Sequence, residues 1–156
     1  VIPIQHIHPM IVHFPIALIL SVAAVELIGV ALGRDVTGRS PLGSLSTSMI
    51  VIAALAAATA YYFGDVALTF AESNGFESEV AEVHESLGKL VAISVFVWAI
   101  VRVALWWMNV HLSRPLAFVI PAVSIVGAGL VTWTAYYGGQ LVFDLGVNVA
   151  RTTTGA

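Results

Sequence analysis

Cysteine is absent from the 156 residues. Its absence excludes a disulfide framework, a thiolate cluster, a cysteine-ligated copper site and covalent c-type haem attachment. Charge is also scarce: Asp, Glu, Lys and Arg make up 10% of the chain, against about 25% in a soluble domain. No glycine-rich nucleotide-binding loop and no nucleophile–base pair stands out. An enzyme in its own right is therefore the least expected class, and no nucleic-acid partner is expected.

What is there is apolar. Hydrophobic residues make up 59% of the chain, and the mean hydropathy is +0.97. Four apolar runs cover roughly residues 9–32, 43–64, 85–108 and 115–137. Each has about the 20 residues that cross roughly 30 Å of hydrocarbon at 1.5 Å per residue. The expected fold is all-α: one integral membrane domain over residues 1–156, a four-helix up-down bundle in a lipid bilayer, with short loops and no soluble module. The chain starts at Val1 without a cleavable signal pattern, so processing or trimming ahead of it is expected.

Loop charge sets an expected orientation. Arg34 and Arg39 follow the first run and His111 and Arg114 the third, with Arg102 just inside, whereas the middle loop carries Glu72, Glu77, Glu79, Glu82 and Glu85. Basic residues concentrate in cytoplasmic loops, so the protein should be multi-pass with both termini and the acidic loop outside. Trp106 and Trp107 suit the inner aromatic belt, and Tyr61, Tyr62, Tyr136 and Tyr137 the outer one. Gly33 and Pro41 should bound the first loop, Ser78 should start the third helix, and Ser113 and Pro115 the fourth. Pro15 and Pro121 should bend their helices. Gly138-Gly139 should break the fourth, leaving residues 141–149 as an interfacial segment over the mouth near His8 and His13, with Arg151 back in solvent.

The chain also resembles itself. Thr59-Ala60-Tyr61-Tyr62 ends the second run and Thr134-Ala135-Tyr136-Tyr137 the fourth, 51 residues after His8 and 50 after His84. Glu26 lies 18 residues after His8, and Arg102 lies 18 after His84. Two repeated helical hairpins of the same orientation, related by an axis along the membrane normal, would produce these offsets.

An up-down path brings the unusual residues together. His6, His8, His13, Asp65, His84, Gln140 and Asp144 share the outer face, and the first and third helices lie diagonally across the core. Ionisable groups at membrane depth are functional candidates. Small residues line the second helix (Ala53, Ala54, Ala56, Ala57, Ala58) and the fourth (Gly127, Ala128, Gly129). They suit close helix packing, or walls for a flat macrocycle. His111 stands alone at the inner end. Glu26 and Arg102, at matching depth in the inner half, should form a structural ion pair, because an unpaired buried charge is costly.

The stretch from His8 to Pro15, Gly64-Asp65, His84, Arg102 and the segment from Gly138 to Val147 resemble a bacterial membrane-protein family, domain of unknown function 2231. The resemblance covers nearly the whole chain and implies a bacterial inner (cytoplasmic) membrane location. His8, His13 and His84 match the family's histidines, and His6 is a local addition. Some members are joined to Rieske-type iron–sulfur domains, which implies electron transfer with other membrane or extracytoplasmic redox subunits as partners. The expected function is a small electron-transfer subunit holding haem b near the outer face, through His84 and either His13 or His8. Depth favours His13 and the repeat favours His8. Tyr61, Tyr136 or the unused histidine would bond a propionate. The alternatives are a zinc, copper or non-haem iron site built from His8, His13, His84 and Asp65, or a cofactor-free scaffold subunit.

Overall fold

The computed structural model describes residues 3–147. After a 3-10 turn over Ile4–His6 come four helices long and apolar enough to cross a membrane: α1 (Ile7–Ala31), α2 (Pro41–Ser73), α3 (Glu79–Trp107) and α4 (Arg114–Phe143). There is no strand among the described residues. The chain is an all-α four-helix membrane protein. α1 and α3 each pack on both α2 and α4, so α1 and α3 face each other diagonally across the bundle.

Local chemistry explains most of the helix ends. Ser40 caps α2, its hydroxyl accepting the Gly43 N–H at 2.9 Å, and Pro41 sits in the first turn where its missing N–H costs nothing. Ser78 precedes α3, and Glu79 and Glu82 lie in the first turn against the positive end of the helix dipole. Ser113 precedes α4, with Pro115 in its first turn. α1 is interrupted at Val12 and α4 at Phe118. Each break lies three residues before a proline, Pro15 or Pro121. A proline ring removes one helical hydrogen bond and crowds the carbonyl four residues back.

Two ends lie further on than the apolar runs suggest. α2 continues beyond Gly64 to Ser73, because nothing between Asp65 and Ser73 breaks a helix and Ala67 still packs inward. α4 runs through Gly138-Gly139 to Phe143 instead of breaking there. An interior glycine costs a helix about 1 kcal/mol, which packing against the neighbouring helices outweighs. The helix stops at Gly146 in the left-handed region (φ 65°). The Leu145 and Val147 N–H groups there bond back to the Gln140 and Leu141 carbonyls. The rest of the expected interfacial segment, and Arg151, lie outside the described residues.

Burial reveals the internal repeat in detail. On α1 the buried residues include Pro15, Ile19, Ala23 and Glu26, and on α3 Val91, Val95, Ala99 and Arg102, each pair 76 residues apart. On α2 they include Ser46, Thr47, Ile50, Ala57 and Ala60, and on α4 Ile120, Pro121, Ser124, Val131 and Thr134, each pair 74 apart. The two hairpins therefore present the same face to the core. Thr134 is matched by Ala60 rather than by Thr59, one residue away from the alignment of the Thr-Ala-Tyr-Tyr runs. Those runs mark where helices reach the interface. The buried face is set by packing, and a slip of one residue turns a helix by about 100°.

Candidate cofactor site at the histidine end

His8 enters from the short first turns of α1 and His84 from the second turn of α3. Their rings face each other with centroids 6.1 Å apart and planes inclined at 83°. Both are partly buried. Each is held the same way. His8 Nδ1 lies 2.8 Å from the Ala60 carbonyl on α2, and His84 Nδ1 lies 3.0 Å from the Thr134 carbonyl on α4. A carbonyl oxygen only accepts, so each Nδ1 carries the proton and donates it. In its neutral form each ring then presents an unprotonated Nε2.

Two glycines make this possible. One helical turn beyond each carbonyl stands Gly64 or Gly138. A Cβ there would come within 2.9 Å of the His8 ring at Gly64 and within 2.9 Å of the His84 ring at Gly138. Real Cβ contacts do not come that close, so the rings lie directly on the helix backbones. Ala60, Gly64, Thr134 and Gly138 were not visible as a set in the sequence, because the chain positions that pair lie 50 to 56 residues apart. The small residue four positions before each glycine is the signal that would have found them.

The other candidates fall elsewhere. His13 and Asp65 are exposed and stand outside the facing pair, as is the local addition His6. Tyr61 is half-buried and packs near Gly88, one turn along α3 from His84. Tyr136 is exposed, and its hydroxyl accepts a weak bond from Gln140 Nε2 at 3.4 Å. Among the described residues, no group of three or more His, Cys, Asp or Glu side chains is placed to hold a metal ion. His8, His13, His84 and Asp65 are thus not gathered into one ion site.

A second polar layer closes the other end. Glu26 Oε1 lies 2.8 Å from Arg102 Nη1, and the two side chains are 0% and 1% exposed. They meet as charges at close range and not as an aligned hydrogen bond, since neither atom has a bond of good geometry. The second carboxylate oxygen accepts from the Ser124 hydroxyl at 2.6 Å, and Ser124 accepts from the Trp98 indole N–H at 3.3 Å. Arg102 Nη2 donates to the Val36 carbonyl at 2.8 Å and to Ser46 at 2.5 Å. All four helices and the first loop join in this network. Ser46, Ser124 and Val36 escaped the sequence reading because hydroxyls and carbonyls carry no partner signal of their own.

The first loop is folded inward, with Val36 and Thr37 buried. Asp35 organises it. Its Oδ1 accepts the Thr37 N–H at 2.8 Å and the Thr37 hydroxyl at 2.9 Å, and its Oδ2 pairs with His111 Nδ1 across the bundle end. Burial by itself would raise the Asp35 pKa. The hydrogen bonds from His111 and Thr37 outweigh that and hold the carboxyl below its ordinary value. His111, isolated in the sequence, is thus a loop contact.

Fold and site together define a small four-helix membrane protein with a symmetric histidine pair at one end and a buried ion pair at the other. The chain belongs to the family described as predicted membrane protein, domain of unknown function 2231, whose pattern matches residues 5–151. Neither a curated protein nor a solved structure matches it.

Proposed function

We propose that this protein is a small membrane electron-transfer subunit in which His8 and His84 hold a b-type haem between α1 and α3. The facing imidazole pair carries this reading. With ring centres 6.1 Å apart, the two imidazoles would be near enough to hold one group between them through Nε2. Both rings already donate Nδ1–H to a carbonyl. That second bond fixes the tautomer, orients the ring and raises the basicity of Nε2. A pair of imidazoles would fit a haem better than an ion site, which would need further ligands.

The haem would supply a one-electron couple. What the chain supplies is geometry. With His8 and His84 both holding it, the group would be suited to electron transfer over oxygen chemistry. Gly64 and Gly138 let each ring lie close against its helix, and Ala60 and Ala57 keep the α2 wall low. Tyr61, whose ring lies near Gly88 one turn along α3 from His84, would bond a propionate. In the orientation that goes with this reading, the Arg34, Arg39 and Arg114 end faces the cytoplasm, by the positive-inside rule. The histidine end and both termini then face outward in a bacterial inner membrane, toward an external redox partner.

The visible spectrum of protein purified from a haem-replete host tests the proposal. The reduced form should show a b-type alpha band that His8→Ala and His84→Ala each abolish and that His13→Ala and His111→Ala leave intact. The near-perpendicular ring planes should give a strongly anisotropic low-spin resonance in the oxidised form. Absence of the band, or its survival in both the His8 and His84 variants, overturns the haem. Stoichiometric metal without the band would point to an ion site instead.

A further inference from the structure

At the end of the bundle opposite the histidines, the arginines divide into engaged and free. Arg102 is buried with Glu26. Arg39 donates to the Trp107 carbonyl at 3.1 Å and stacks over the Trp106 ring at 5.4 Å. Arg34 and Arg114 are exposed, and neither is in an ion pair with a carboxylate among the described residues. Both line a cleft of about 200 Å³ between the end of α1 and the start of α4, walled by Val30, Leu112 and Ala117.

Asp35 also borders the cleft, with its oxygens engaged by Thr37 and His111. Two guanidiniums against one carboxylate leave the lining net positive. Arg114 lies over Gly33, its Nη2 3.7 Å from where a Cβ would stand. Gly33 holds a left-handed conformation (φ 69°), so a side chain there would be strained.

We infer that this cleft binds the phosphate of an anionic phospholipid. Guanidinium groups match phosphate oxygens in a planar, bidentate fashion, and basic pockets between membrane helices on the cytoplasmic side hold acidic headgroups. The cleft sits where α1 and α4 leave the hydrocarbon. The lipid-facing flanks of the two helices are apolar up to this end, with Ile28 on α1 (58% exposed) and Leu116 and Val119 on α4 (56% and 51% exposed). Acyl chains have a surface to lie on. A free phosphate would use the same donors but gain nothing from a cleft at the ends of two membrane-spanning helices, which is why the lipid is the assigned occupant.

Native mass spectrometry of the full chain in detergent tests this, with phosphatidylglycerol, phosphatidylcholine and inorganic phosphate added separately. One phosphatidylglycerol should be retained in preference to phosphatidylcholine. The double variant Arg34→Gln/Arg114→Gln should weaken it roughly 30-fold, since each basic side chain at an anionic surface contributes severalfold. Arg39→Gln, at the same end with a different contact, should leave retention unchanged and serves as the folding and charge control. Equal retention of the two lipids, an unchanged double variant, or displacement by millimolar phosphate would each overturn the assignment.

Discussion

Replacing Glu26 by Gln removes one charge from a pair that water does not reach. Glu26 and Arg102 are 0% and 1% exposed at 2.8 Å separation. Arg102 is pinned by Val36 and Ser46 through Nη2, so it is not free to snorkel to the surface. In the variant its Nη1 faces a neutral amide, and its Nε has no hydrogen-bond partner to begin with. Losing one partner of a buried pair costs about 3–5 kcal/mol, against roughly 0–1 kcal/mol for a surface pair. Gln retains the shape and can still accept from Ser124, which favours the lower half of that range. Reversible unfolding in mixed micelles would measure it, with Arg102→Met and the double variant completing a cycle. The double variant should recover part of the loss, because it leaves no orphan charge. A cost below about 1 kcal/mol, or strict additivity across the cycle, would refute the reasoning.

Further outcomes follow from single contacts. Gly138→Ala should displace the His84 ring, since the added Cβ would stand 2.9 Å from it. The expected cost is about 1–3 kcal/mol, with loss of any b-type spectrum, and Gly64→Ala should do the same through His8. By contrast Gly129→Ala meets nothing within 4 Å and should stabilise the protein by about 0.5–1 kcal/mol in a thermal melt. Gly43→Ala should be the most damaging of these, because its Cβ would lie 2.4 Å from the Thr37 carbonyl oxygen, which is backbone and cannot swing away. Asp35 has a depressed pKa in the folded state, so its contribution is fully present above the ordinary carboxylate value and is lost as pH falls through the lower, folded value. Exchange protection of the Thr37 amide should therefore persist from neutral pH through the ordinary carboxylate range and fail only below it. Asp35→Asn should weaken that protection at every pH, and a wild-type loss already near neutrality would contradict the assignment.

Much of the architecture was legible because the physics behind it is local. Apolar length identifies spans, prolines locate breaks at Val12 and Phe118, and Pro41, Ser78 and Ser113 mark helix starts. Glycine was the misleading signal. Gly64 and Gly138-Gly139 read as helix ends, yet each lies inside a helix, and at Gly64 and Gly138 an imidazole needs the room. The histidines were legible as a group, but their division was not. His8 and His13 are five residues apart on one apolar run, and periodicity alone does not say which turns inward across the Pro15 break.

The amino-acid sequence by itself determined the four spans, their up-down order, the repeat and the matched depths of His8 with His84 and of Glu26 with Arg102. Those follow from hydrophobic length and from fixed rise per residue. Only the tertiary structure decided which faces point inward. It set His8 rather than His13 opposite His84, tied each ring to a carbonyl on the next helix, and joined the ion pair to Ser46, Ser124 and the Val36 carbonyl. The reason is rotational. A helix that is apolar on nearly every side carries almost no signal of its own about which side is buried, and that choice is made by close packing against its neighbours.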